Sequence, residues 1–284
     1  ICYSINSTKY INMKNKFYSL LAYSVVFLVS CEKDPEVIYE TITVTETVTE
    51  TVEVQPATPE SETVGGGGIY FIDDPQTWTN DRIWIMNGKV VVRDGGTLTI
   101  EAGTIIKAED GQGVDATALV IAKGGNIVAD GTAESPIVFT DKADELSYSN
   151  EDRISPNRVS TDTGKWGGVI ILGQATVGED GGEDTIEGIA TGYDWTMYGG
   201  SSDTESSGTL NYVSIRHSGT ALGNGDEIQG LTLGGVGSGT TITNIEVVGS
   251  DDDGIEIFGG TVNVTNLTIW AQSDDAVDLD EGYA

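Results

Sequence analysis

Two consecutive stretches near the end of the chain repeat one pattern of residues. Residues 239–260 read GTTITNIEVVGSDDDGIEIFGG, and residues 261–282 read TVNVTNLTIWAQSDDAVDLDEG. They align without a gap, so that Thr243-Asn244-Ile245 corresponds to Thr265-Asn266-Leu267. A fixed period of this length indicates one supersecondary unit stacked on its neighbour. Apolar residues recur at every second position between Gly, Asn and Asp, which is typical of short strands joined by turns.

The same pattern continues upstream with less regular spacing. Gly230-Leu231-Thr232-Leu233 corresponds to Gly254-Ile255-Glu256-Ile257, and Gly96-Thr97-Leu98-Thr99-Ile100 opens a similar segment. No stretch of ten or more residues between 69 and 284 has helical periodicity. The sequence therefore predicts an all-β parallel β-helix, a solenoid with loop insertions, over residues 69–284. Because strand side chains alternate, we expect four side chains in a shared core and three facing outward: Ile255, Ile257, Val277 and Leu279 inward, and Glu256, Asp278 and Asp280 outward.

The first 30 residues have the pattern of a secretory signal. Lys14 and Lys16 precede an apolar run over residues 17–29, and Ser30 and Cys31 follow it. A basic region, an apolar region and a small residue at the cleavage point are typical of a signal peptide. The terminal cysteine resembles a bacterial lipobox, which predicts lipid attachment at Cys31. Residues 1–12 then precede the start of translation, which we place at Met13.

Residues 31–68 have a composition that favours a solvated tether. A tract rich in Thr, Glu and Val is followed by Pro56, Pro59 and the run Gly65–Gly68, with few core-forming side chains. The charged residues just after Cys31 resemble the export signal of surface lipoproteins of Bacteroidota. We therefore expect a bacterial protein held by lipid on the outer membrane or cell surface.

The chain carries 45 acidic side chains against 14 Lys plus Arg. Such a surface repels polyanions, so we expect no nucleic-acid partner.

Several segments in order resemble a known group of proteins. They are Gly96–Thr104, Trp166–Gly173, Glu227–Gly237 and the Asp-Asp repeat over residues 239–282. Together they are similar to secreted or lipid-anchored bacterial proteins with a right-handed parallel β-helix, of the pectin-lyase-like superfamily. The resemblance covers residues 69–284. It implies the fold and its handedness, and it says little about activity.

The repeated acidic residues are the strongest candidate for a site. Equivalent residues of successive coils lie about 4.8 Å apart, so Asp252 should lie over Asp274 and Glu256 over Asp278. Two such charges repel by roughly 3.5 kcal/mol at an effective dielectric near 20, unless a cation or a proton intervenes. Calcium takes 6 to 8 oxygen ligands with loose geometry, which predicts a calcium site; alternatively, the carboxylates bind turn amides and face water. The candidate ligands are Asp252, Asp253, Glu256, Asp274, Asp275, Asp278 and Asp280.

The same acids admit a catalytic interpretation. Some β-helix enzymes cleave polysaccharides with paired carboxylates, and a retaining glycosidase needs its carboxyl groups about 5–5.5 Å apart. Between Gly208 and Ala284, however, the only basic side chains are Arg216 and His217, and no partner motif surrounds them. We assign no catalytic residue, and a polysaccharide lyase or glycoside hydrolase is the alternative function.

An aromatic loop is the second candidate site. Residues 190–200 hold Tyr193, Trp195 and Tyr198. A sugar ring can stack on such a platform, which makes these three residues a candidate glycan-binding surface; alternatively, they cover the flank of the solenoid.

These observations favour a surface-anchored lipoprotein whose β-helix binds extracellular glycan or a protein partner. The repeat stops without a cap or a change of composition. Because a terminal coil needs a cap, we expect that further coils follow and extend the acidic ladder.

Overall fold

A computed structural model of the chain describes residues 60–178, 182–189, 192–223 and 226–283. In this part of the chain, two 3₁₀ turns, Gly113–Asp115 and Asp194–Thr196, are the only helical segments, so the predicted lack of long helices is confirmed there. None of the described residues lies in a helix long and apolar enough to cross a membrane. The strands are β1 (Ser61–Ile72), β2 (Gln76–Trp78), β3 (Ile83–Val92), β4 (Thr97–Ile100), β5 (Ile105–Ala108), β6 (Ala118–Ile121), β7 (Asn126–Asp130), β8 (Ile137–Asp141), β9 (Val169–Leu172), β10 (Glu183–Thr185), β11 (Met197–Gly199), β12 (Gly208–Arg216), β13 (Thr220–Gly223), β14 (Asp226–Ile228), β15 (Leu231–Gly234), β16 (Thr241–Val248), β17 (Ile255–Phe258), β18 (Asn263–Trp270) and β19 (Val277–Asp280).

The strands stack in parallel columns, each strand pairing with its equivalents one coil before and after. The first column runs through β3, β6, β9, β15, β17 and β19. The second runs through β2, β4, β7, β12, β16 and β18. The third runs through β3, β5 and β8 and then through the later parts of β12, β16 and β18. The fold is the predicted right-handed parallel β-helix. Two antiparallel pairs, β10 with β11 and β13 with β14, lie outside the columns.

The core fills the inside of the coils. Alternate residues of the first-column strands from β3 to β17 enter it, as Leu231 and Leu233 of β15 and Ile255 and Ile257 of β17 do. Trp78 stacks on Trp84 at 5.4 Å between ring centroids within the same core. Because inner positions are apolar in coil after coil, burial of apolar area stabilises the stack without disulfides among the described residues.

The outer face of the first column is covered over part of its length. The segment after β9 contributes Val177, Ile186, Ile189 and Trp195 to a second apolar cluster. These side chains pack on outward residues of β6 and β9, whose outer positions are also apolar. The covering reaches as far as Phe258 of β17.

The insertion over residues 141–165 is fixed by buried polar contacts. Arg158 donates to both carboxylate oxygens of Asp141, which is fully buried. The Nζ of Lys107 donates to the Asp144 carbonyl. His217 Nδ1 lies 2.7 Å from the Asp162 carbonyl oxygen, and the ring is buried. His217 therefore holds the insertion through its side chain.

The predicted start of the β-helix at residue 69 is wrong. Strand β1 begins at Ser61 and pairs with β3 from Ser61↔Ile83 onward, with a register shift between Gly65 and Ile69. In the sequence, the run Gly65–Gly68 is typical of a flexible tether. In the structure it lies within β1, and Val64 before it is buried. Residues 31–59 of the predicted tether lie outside the described residues.

The last described coil has the predicted register, but its two apolar side chains are exposed and not in the core. Val277 pairs with Ile255 and Leu279 with Ile257, so all four side chains share one face. Ile255 and Ile257 are buried, whereas Val277 and Leu279 are 44% and 53% exposed. The difference arises because no described coil packs over β19.

Candidate functional site

An acidic cleft lies on the outer face of the first column, at the coils of β17 and β19. Its volume is about 260 Å³. All seven predicted acidic residues line it. The lining consists of nine carboxyl side chains with one amide and one aromatic ring: Glu187, Glu227, Asp252, Asp253, Glu256, Asp274, Asp275, Asp278, Asp280, Gln229 and Phe258.

The register of the strands explains how the cleft forms. Along one outward row of the first column, Ile170 pairs with Thr232, Thr232 with Glu256, and Glu256 with Asp278. The row is therefore apolar at β9, polar and uncharged at β15, and acidic at β17 and β19. The turns before β17 and β19 add the Asp-Asp pairs, and Asp253 Oδ1 accepts a hydrogen bond from the Asp275 amide at 2.8 Å. Asp253 and Asp275 thus lie on adjacent coils, as predicted.

Two of the carboxyl groups are deeply buried. Asp253 and Glu256 are each 6% exposed, and Glu256 Oε2 is buried without a hydrogen-bond partner. Burial raises the pKa of Asp253 to about 6, with the charges of Asp252 and Asp278 adding to the effect. Burial likewise raises the pKa of Glu256 to about 9, and Glu187 and Asp253 add to it. Without a cation, Glu256 is therefore protonated at neutral pH.

The carboxylates are spaced closely enough to share a cation. Ligand oxygens of Asp252, Asp253 and Asp274 lie within 4.8 Å of one another, and so do those of Asp253, Glu256 and Asp278. Two oxygens bound to one Ca²⁺ at 2.3–2.6 Å lie at most about 5 Å apart. The donor set is oxygen only, which suits a hard cation. Asp253 belongs to both groups, so the cleft fits calcium on the arrangement of its side chains.

Four residues of the cleft, Glu187, Glu227, Gln229 and Phe258, are missing from the sequence prediction. Gln229 precedes Gly230 as Asp253 precedes Gly254, so extending the repeat by one coil would have found it. Gln229 Nε2 donates to Glu187 Oε1 at 3.2 Å and to Asp252 Oδ2 at 3.4 Å. Glu187 comes from the covering loop, and no sequence pattern places it there.

The predicted aromatic glycan surface is wrong for two of its three residues. Trp195 and Tyr198 are only 6% and 2% exposed, and both pack in the apolar cluster on the outer face of the first column. Tyr198 packs against Phe258 at 6.0 Å between ring centroids. Tyr193 is exposed and stacks on Trp195 at 5.6 Å. The loop is thus a cover for the solenoid, because its large rings exclude water from apolar strand residues.

A known protein family matches most of the described residues. The family model for the pectate-lyase like beta helix domain matches residues 71–284. The chain belongs to this family. The acidic cleft, including Glu187 and both Asp-Asp pairs, lies within the part that matches the pectate-lyase like beta helix domain. Neither the curated proteins nor the solved structures contain a match to the chain. The predicted lipidation site, Cys31, lies outside both the matched and the described residues.

Proposed function

We propose that this protein is a bacterial surface lipoprotein whose β-helix binds acidic extracellular glycan through calcium held in the acidic cleft. The family supports a glycan-related role. The observation that carries the proposal is the cleft itself: eight other carboxyl side chains line it together with Glu256, whose Oε2 is buried and unpartnered. So many carboxyl groups in one cleft favour an ion that neutralises them.

Charge determines which glycan this cleft can take. The chain has a formal net charge of −31, so a uronate-containing glycan is repelled in the absence of a cation. A bound calcium ion supplies positive charge and coordination positions that carboxylate or hydroxyl oxygens of a sugar can fill. Glu256 must lose its proton to bind the ion, so calcium affinity should rise with pH.

The side chains that line the cleft favour binding without cleavage. No Lys, Arg or His is among the described residues that line the cleft. A lyase needs a group that removes a proton from the sugar, and the carboxylates here are occupied with one another and with the proposed ion.

One observation favours the hydrolase alternative. Glu256 is held protonated by its pKa of about 9, and an oxygen of Asp278 lies within 4.8 Å of it. An acid beside a carboxylate is the pair that a retaining glycosidase uses. Glycan binding and product release therefore have to be measured on the same samples.

The test is a glycan array with calcium and with EDTA, followed by an assay for new reducing ends and unsaturated products on each glycan bound. We expect calcium-dependent binding of uronate glycans, and no products. Asp253→Asn should abolish this binding, since Asp253 belongs to both carboxylate groups. Asp130→Asn is the matched control, because Asp130 is an exposed acid outside the cleft.

Product release would establish the hydrolase or lyase alternative. Uronate binding that is unchanged by EDTA and by Asp253→Asn would overturn the calcium proposal.

Surface anchoring has its own test. Wild-type protein expressed in a bacterial host that processes lipoproteins should partition into detergent, and Cys31→Ser should release it or leave it unprocessed. A mature protein that begins well downstream of residue 31 would contradict lipid attachment.

A further inference from the structure

A second groove lies on the solenoid, over the bend between the second and third columns. Its volume is about 480 Å³, and no residue of the acidic cleft lines it. It lies between the connection from β7 to β8, the insertion after β8, and strands β12 and β16. This volume is in the range of small-molecule sites, roughly 300–1,000 Å³. Its lining includes Glu134, Asp152, Arg153, Tyr212, Arg216 and Glu246.

Three residues of the groove have a left-handed backbone, Asn244 and two larger residues. Tyr212 has φ 48° and Arg153 has φ 57°. The register of β12 with β16 and of β16 with β18 places Tyr212 opposite Asn244, and Asn244 opposite Asn266. Both asparagines have the same left-handed conformation, at φ 53° and 55°. Asparagine adopts this conformation readily, whereas a bulky residue does so at a cost.

Packing in the core does not explain the tyrosine. Tyr212 is half-buried and belongs to none of the apolar clusters of the described chain. A residue held in an unfavourable conformation without burial is a candidate for function. Its aromatic ring, at the wall of a groove, is suited to stacking against a sugar.

The polar side chains of the groove are fixed in place before any ligand arrives. Arg216 Nε donates to Ser214 Oγ at 2.8 Å, and Nη1 donates to the Arg153 carbonyl at 2.6 Å. Arg216 Nη2 lies 3.4 Å from Glu246 Oε2, which also accepts from Ser214. Arg153 Nη1 is buried and has no acceptor. The groove thus combines ordered acceptors and donors beside an aromatic ring.

The balance of charge selects an uncharged ligand. Four carboxylates and two guanidinium groups line the groove, and Glu246 pairs with Arg216. The remaining acids, Glu134, Glu151 and Asp152, are exposed. Excess carboxylates repel an anionic sugar but accept hydrogen bonds from hydroxyl groups. We propose that this groove binds a short uncharged oligosaccharide, with its sugar face on Tyr212 and its hydroxyl groups on the carboxylates.

This site differs from the acidic cleft in position, ligand and cation requirement. Its test is therefore done in EDTA, where the calcium-dependent binding proposed above is absent. If one of the two proposals fails, the other is still tested by its own measurement.

The experiment measures binding of cellotetraose, xylotetraose, mannotetraose and tetragalacturonate by calorimetry. We expect at least one neutral tetrasaccharide to bind, and tetragalacturonate not to bind. Tyr212→Asn should weaken binding by about tenfold, the loss of one stacking contact. It should leave the melting temperature unchanged or raise it, since asparagine suits the left-handed conformation.

Two further variants serve as a control and as an independent test. Tyr70→Asn removes an exposed aromatic ring that lines neither the groove nor the acidic cleft, and it should leave binding unchanged. Glu134→Ala, at an exposed position of the groove, should weaken binding even if Tyr212→Asn fails to fold. The proposal is overturned if no neutral tetrasaccharide binds, if tetragalacturonate binds better, or if Tyr70→Asn weakens binding while Glu134→Ala does not.

Discussion

Glu256 links the chemistry of the acidic cleft to the stability of the fold. Its side chain occupies an outward position of β17, yet it is buried among other acids and its Oε2 has no partner. In water its pKa is near 4.5, and burial raises it to about 9 in the folded protein. The folded state therefore binds a proton that the unfolded state releases between these two values.

This difference predicts how stability depends on pH. The contribution of Glu256 is fully present below about pH 4.5 and is lost as pH rises toward 9. Asp253 acts in the same direction over a lower window, from 3.8 to about 6. Between about pH 6 and 9, in EDTA, the melting temperature should thus fall because of Glu256. A loss of about 1 kcal/mol lowers it by about 2–4 °C in a domain of this size.

Glu256→Gln supplies the comparison for this prediction. Glutamine has the same shape and no titration, so the variant should show a smaller fall over this window in thermal melts followed by circular dichroism. A fall of equal size in both proteins would assign the pH dependence to other groups.

At the scale of elements, the stacked asparagines stabilise the bend between the second and third columns. Asn266 Nδ2 donates to Asn244 Oδ1 at 3.1 Å, and Asn244 Nδ2 donates to Asn211 Oδ1 at 2.9 Å. Asn211 in turn donates to Asp130 at 2.8 Å. These hydrogen bonds join four coils, and at Asn244 and Asn266 the backbone itself has a positive φ, which asparagine tolerates.

Replacement of the central asparagine separates the two contributions. Asn244→Ala should destabilise the fold by about 2–3 kcal/mol, from an unfavourable left-handed alanine and from the lost hydrogen bonds. Asn244→Gly keeps the backbone conformation and loses only the amide, so it should cost less. Urea unfolding measures both; equal losses in the two variants would mean that the backbone conformation contributes little.

The repeat made much of this architecture predictable. A period of 22 residues specifies that Glu256 pairs with Asp278 and that Asn244 lies beside Asn266, and both pairings are present. The position of the loops was not predictable in this way. Glu187 and Tyr198 reach the outer face through the folding of the segment after β9, and the tertiary contacts of that segment leave no periodic pattern. The start at Ser61 was missed because a glycine run has no side chains that could indicate a strand.

At the scale of the whole molecule, the excess of negative charge opposes folding. The chain has a formal net charge of −31, and most of its 45 acidic side chains belong to the β-helix, where their mutual repulsion destabilises the fold. This repulsion between carboxylates can be reduced in two ways. Monovalent salt screens all exposed charges together, whereas a cation in the acidic cleft acts on a few buried groups.

Thermal melts at matched ionic strength distinguish these two effects. In EDTA, sodium chloride should raise the melting temperature of the wild type and of Asp253→Asn alike, since screening does not depend on one carboxylate. Calcium chloride, added to EDTA-free protein at the same ionic strength, should raise the wild type further. An ion at 100 times its dissociation constant stabilises the folded state by about 2.7 kcal/mol. Asp253→Asn should lose this additional increase and keep the response to sodium, because Asp253 contributes to both carboxylate groups of the cleft. If calcium and sodium act equally on the wild type, the acidic cleft holds no specific cation.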